Sequence, residues 1–199
     1  MDINHGVKSE VIMKDLKDVM SVFKKFGVKA YLSYGAVLGA VRGKDFIAWD
    51  DDIDIDVIDK IDIKTRKDIG ATLGDLGFTA QPIMFNVFGR MELTAVGDRN
   101  ECRYDGDGET GIIVCERNFK FSIFFYKEEG DEYVCTPKIY ARKLISSPKR
   151  FYVKPESVKL HGKKFLCPGP IKEYLTYLYG DWKTPKRDAH APQYNKRHG

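Results

Sequence analysis

Asp50-Asp51-Asp52-Ile53-Asp54-Ile55-Asp56-Val57 is the stretch from which the rest of the chain can be read. From Asp52 onward acid and aliphatic residues alternate, the period of a strand with one charged and one apolar face. Residues two apart on a strand share a face, so Asp52, Asp54 and Asp56 project together while Ile53, Ile55 and Val57 enter a core. Same-face Cα neighbours lie about 6.5–7 Å apart, close enough for two carboxylates to meet one or two hard cations. Without solvation or a cation such a run repels itself. Magnesium suits it, because this ion takes a couple of carboxylates and fills its other positions with water and substrate phosphates. An isolated Asp-x-Asp also fits a solvated edge strand or an acidic turn, so the flanking residues have to decide.

Upstream, Val28–Tyr34 reads as a short strand, and Gly35-Ala36-Val37-Leu38-Gly39-Ala40-Val41-Arg42 as a helix or tight turn of small residues. Gly35 and Gly39 permit close backbone approach. A strand, a turn and a helix start placed just before the acids can bring backbone N–H groups and the Arg42 guanidinium to phosphates held by an acid-bound metal. Lys44 adds a further cation. Donors and metal would then share one anion, the logic of phosphoryl or nucleotidyl transfer, in which positioning and charge neutralisation supply most of the catalysis. The bland alternatives are close helix-to-sheet packing for the glycines and a surface ion pair for Arg42.

Farther out, Val7–Phe26 has apolar residues at steps of three and four and predicts an amphipathic helix ended by Gly27; Thr65–Leu76 predicts a second. Phe78–Phe88, Arg90–Val96, Ile112–Cys115, Lys120–Tyr126 and Glu132–Thr136 are strand candidates, Lys143–Lys164 reads as irregular and basic, and Pro170–Tyr179 as a last helix. The fold class is α+β, a mixed β-sheet flanked by helices. With 199 residues, 43% of them hydrophobic, the expectation is one domain over 1–199 with a flexible tail at about 186–199. Thirty-three Lys and Arg against 29 Asp and Glu leave a charge of +4, too mild to argue for nucleic acid. No apolar run approaches the roughly 20 residues that span a bilayer. Cys102, Cys115, Cys135 and Cys167 form no C-x-x-C pair and read as buried or free thiols, which fits a reducing compartment best; in an oxidising lumen they could pair in three ways, among which sequence does not choose. Trp49 and Trp182 are expected to pack rather than stack on a ligand.

The run Tyr34-Gly35-Ala36-Val37-Leu38-Gly39-Ala40-Val41-Arg42-Gly43-Lys44-Asp45-Phe46-Ile47-Ala48-Trp49-Asp50-Asp51-Asp52-Ile53-Asp54-Ile55 resembles the signature of the LicD family, which includes bacterial phosphocholine transferases, fukutin and fukutin-related protein. Gly162–Pro185, with Tyr179-Gly180-Asp181-Trp182, resembles that family's C-terminal motif. The resemblance implies a nucleotidyltransferase-like fold. It also implies an enzyme that takes a CDP-activated alcohol, such as CDP-choline or CDP-ribitol, transfers the phospho-alcohol to a glycan hydroxyl and releases CMP. By position, Asp52 and Asp54 match the family's metal ligands for Mg²⁺ or Mn²⁺. Gly35, Gly39 and Arg42 match the loop and helix near the donor's phosphates, and Asp50 and Asp51 fall into shaping roles. Family members work at the bacterial cytoplasmic face and in the Golgi lumen; a cytoplasmic setting is expected here, or the lumen for a piece of a longer eukaryotic chain.

One position departs from that pattern. The family carries a third acid on a later central strand, and in Phe121-Ser122-Ile123-Phe124-Phe125 a serine stands there. A serine neither binds a metal well nor takes a proton at neutral pH. Glu92, in Arg90-Met91-Glu92-Leu93, is the preferred substitute as catalytic carboxylate, with Asp56 as another. Otherwise the chain is a non-catalytic donor- or glycan-binding relative, or a nucleotidyltransferase that uses an NTP.

Overall fold

A computed structural model describes residues 6–80, 84–87, 90–93, 102, 104–106, 109–136 and 145–185. The tail at 186–199 lies outside the described residues. The first helix, Ser9–Lys25 (α1), turns Ile12, Leu16, Val19 and Phe23 inward, each at most 1% exposed, and Gly27 follows it in the left-handed conformation. Next come Tyr31–Leu32 (β1), Tyr34–Gly43 (α2), Asp52–Val57 (β2) and Ile63–Asp75 (α3). Asp62 caps α3 by accepting the Thr65 N–H at 2.6 Å. Gly70, an unfavourable residue inside a helix, has a packing reason: a Cβ there would lie 2.0 Å from the Cys102 carbonyl oxygen.

The strands that follow are Thr79–Ala80 (β3), Met84–Val87 (β4), Arg90–Leu93 (β5), Tyr104–Gly106 (β6), Gly111–Glu116 (β7) and Lys120–Phe125 (β8). β1, β2, β8, β7 and β3 form one sheet in that order, and β6 joins it along β7. The pairing β2–β8 is parallel and the others in this sheet are antiparallel. β4 and β5 pair as a separate hairpin in which Phe85 stands opposite Glu92. Ile53, Ile55 and Val57 are at most 1% exposed and belong to the same core as the buried faces of α1 and α3, each contributing about 1.5–3 kcal/mol by burial. Asp15 of α1, wholly buried, accepts from Arg117 and Asn118 and so ties α1 to the β7–β8 turn.

Lys143–Lys164 differs from its irregular reading. It contains Ile145–Pro148 (β11), Arg150–Val153 (α4) and Glu156–Leu160 (β12), and it enters Lys163–Cys167 (β13). β11 pairs with Glu132–Cys135 (β10), which pairs with Lys127–Glu129 (β9), while β12 and β13 form a hairpin turned at His161-Gly162. Lysines and glutamates on exposed faces dilute the apolar signal, yet Val158, Leu160, Phe165 and Cys167 alternate inward. Ile171–Tyr179 (α5) closes the order and packs Tyr174, Leu175 and Leu178 into the core. No helix among the described residues is long and apolar enough to cross a membrane.

Candidate active site

β2 and β8 run side by side with Asp52 opposite Lys120 and Asp54 opposite Ser122, so both pairs face the same side of the sheet. The Ser122 hydroxyl donates to Asp52 Oδ2 at 2.9 Å. The Lys120 ammonium donates to Asp51 Oδ2 at 2.8 Å and stands 3.7 Å from Asp52 Oδ2. Before β2, a turn closed by the Asp50 N–H on the Ile47 carbonyl oxygen (3.0 Å) brings Asp50 back against the start of α2. A Cβ on Gly35 would lie 1.9 Å from Asp50 Oδ2, so the absence of a side chain in the first turn of α2 makes room for that carboxylate. One carboxylate oxygen each from Asp50, Asp51 and Asp52 lie within 4.8 Å of one another.

The charges tell the same story. Burial, then the Asp52 and Asp51 carboxylates, push Asp50 up to about 7. Burial raises Asp52 despite Lys120 and the Ser122 hydroxyl, and burial followed by Asp52, Asp50 and Asp56 holds Asp54 well above the ordinary range. Crowded acids with so little compensating charge favour protons or a cation. An all-oxygen, multiply charged donor set of this kind suits Mg²⁺ or Mn²⁺.

Sequence-derived candidates separate into groups here. Asp52 and Asp54 share a face as expected, but the tightest carboxylate cluster draws in Asp50 and Asp51, which the resemblance had left to shaping roles. Gly39 meets the following loop: a Cβ would lie 2.5 Å from the Asp45 carbonyl oxygen and 3.1 Å from the Ile47 nitrogen. Arg42 donates through Nε to the Trp182 carbonyl oxygen (2.6 Å) and through Nη2 to the same oxygen and to that of Thr184 (3.2 Å). It therefore anchors the C-terminal segment to α2. Lys44 follows α2 in a left-handed conformation and is exposed. Glu92 stands on β5, but its side chain lies outside the described residues.

Asp56 continues the acidic face into the interior, 1% exposed, where the Tyr152 hydroxyl donates to its Oδ2 at 2.7 Å. Burial lifts it to about 6 against the pull of Tyr152, Ser33 and Tyr126. Trp182 packs on the core and donates to the Thr176 hydroxyl at 3.2 Å, whereas Trp49, expected to pack, is 44% exposed beside the acids. Lys120 was not singled out from sequence. Its signal was available, since it lies two residues before Ser122 and so on the same face of an alternating strand.

A solved structure of similar overall fold is found at low sequence identity. The antibiotic-resistance factor ANT(2″)-Ia superposes with a TM-score of 0.51 at 12% identity, covering 94% of this chain and 83% of that one. Lincomycin-bound LnuA, a lincosamide antibiotic adenylyltransferase, gives 0.49 at 13% identity over 88% of this chain and 90% of that one. No curated protein sequence matches the chain significantly. The family model described as LicD/FKTN/FKRP, nucleotidyltransferase domain, matches residues 27–169, which include α2, the acidic strand and β8. With well over half its length matched, this chain belongs to the LicD/FKTN/FKRP family of nucleotidyltransferase-fold transferases.

Proposed function

We propose that the protein is a Mg²⁺- or Mn²⁺-dependent transferase that moves a phospho-alcohol, such as phosphocholine or phosphoribitol, from a CDP-activated donor to a glycan hydroxyl. The observation that carries the reading is the convergence of Asp50, Asp51 and Asp52 beside the first turn of α2 in a chain of this family. Asp52 with its neighbours Asp50 and Asp51 would hold the cation, which supplies charge neutralisation for the donor's two phosphates. Asp54, next along the same face, accepts the proton of the attacking hydroxyl. The acceptor oxygen bonds to the phosphorus bearing the alcohol, the bond from that phosphorus to the bridging oxygen breaks, and CMP leaves with the electron pair. Lys120 lies beside the acids, where an ammonium offsets negative charge on the phosphates.

CMP release from CDP-choline and from CDP-ribitol, with a glycan acceptor and Mg²⁺ or Mn²⁺, tests this. Metal-dependent release that Asp52→Asn and Asp54→Asn abolish is the expected result. Ser122 favours a second reading: it stands opposite Asp54 and bonds to Asp52, where the family's third acid is expected. Donor binding without release would support a non-catalytic relative. Thermal stabilisation by ATP or CTP, but by no CDP-alcohol, would instead point to an NTP-using nucleotidyltransferase.

A further inference from the structure

We propose that Lys120 is a displaceable internal counter-ion: its ammonium neutralises Asp51 and Asp52 in the metal-free protein, gives way when a divalent cation binds, and then contacts the donor's phosphates. The first half of this follows from position. Lys120 opens β8 directly opposite Asp52, and its ammonium is 2.8 Å from Asp51 Oδ2 and 3.7 Å from Asp52 Oδ2. Asp51 and Asp52 also supply two of the three oxygens that converge within 4.8 Å. A divalent ion bound to those oxygens would sit a few ångströms from the ammonium, and the repulsion between them is removed when the side chain swings outward.

Freedom to move and somewhere to go complete the argument. The Lys120 side chain is 29% exposed, and a lysine is a compact charge on a flexible four-carbon stem. Arg42, the cation that the sequence nominates for the phosphates, spends its Nε and Nη2 donors on the carbonyl oxygens of Trp182 and Thr184. Lys120 is thus the cation that the described residues place against the acid cluster, and the metal-bound phosphates bring the negative charge that its displaced ammonium needs. The inference rests on the metal-binding part of the proposed function and not on the identity of the alcohol.

Two affinities of opposite sensitivity test it: Mn²⁺ alone, and cytidine 5′-diphosphate at saturating Mn²⁺, both by calorimetry on the full chain. Lys120→Gln should bind Mn²⁺ alone more tightly, by up to about fivefold, the worth of a part-exposed ion pair. The same variant should bind the nucleotide about tenfold or more weakly, the loss of a charge-assisted hydrogen bond. Lys120→Arg should stay near wild type in both and serves as the check on folding. A structural role for Lys120 would weaken both affinities together, and that result overturns the proposal. Unchanged Mn²⁺ affinity in Lys120→Gln overturns it while leaving the proposed function standing; failure of the wild type to bind Mn²⁺ overturns both.

Discussion

Asp56 extends the row of site acids but lives in a different environment, closed off from solvent and held by the Tyr152 hydroxyl. Its carboxyl is raised from 3.8 to about 6, so the folded protein holds this proton more tightly than the unfolded chain does. Its contribution to stability is therefore complete below about pH 4 and is lost as pH rises through 6, a change of about 3 kcal/mol. Relative to wild type, Asp56→Asn should gain in urea-melt stability by that amount between pH 4 and pH 7, and Tyr152→Phe should lose more at pH 7 than at pH 4. Arg42 invites a different measurement. As an anchor for the carbonyl oxygens of Trp182 and Thr184, its replacement by Ala should cost about 1.5–3 kcal/mol in a chemical melt. Lys in its place should recover little, because a single ammonium does not reproduce the guanidinium fork. Lost nucleotide affinity with an unchanged melt would return Arg42 to the phosphates.

Between β2 and β8, register decides what each acid can meet. Because the pairing is parallel with Asp54 opposite Ser122, a carboxylate at position 122 would point to the same side as Asp52 and Asp54. Ser122→Asp should raise CMP release and tighten Mn²⁺ binding if the chain has lost its third acid. If Glu92 serves instead, Glu92→Gln should abolish release and Ser122→Asp should change it little; steady-state CMP assays on both variants separate the cases. Helix α2 is held just as closely, with Gly35 against Asp50 and Gly39 against the loop at 45–47. Gly39→Ala places a methyl 2.5 Å from a backbone oxygen that cannot swing aside, and should cost about 1–3 kcal/mol in a thermal melt. Gly35→Ala should spare more stability but push Asp50 out of the cluster, weakening Mn²⁺ binding.

Across the chain, local pattern was enough where apolar residues recur at the element's own spacing over enough residues to repeat. The periodicities of α1, β2 and α5 could be read directly, because burial of alternating or helically spaced side chains dictates the element that forms; β8 was legible as a nearly continuous apolar run buried on both faces, and the acidic strand with its preceding glycines marked the family. Residues 145–167 were not legible in the same way: their strands are short, and cations on the exposed side hide an apolar alternation that matters only once β12 and β13 have paired. Long-range partners were equally hidden. That Arg42 reaches residues about 140 positions away, that Lys120 sits among the aspartates, and that Asp56 is sealed beneath Tyr152 follow from strand order and from which surfaces close over one another. Residue types and their spacing put Asp52 and Asp54 on one face of a strand that follows a glycine-bearing segment, whereas the turn at residues 47–50 and the room left at Gly35 are what bring Asp50 back toward these acids. Which cation answers them depends on folding, because an ammonium or guanidinium on a long stem goes to whichever oxygens the packed chain brings within its reach.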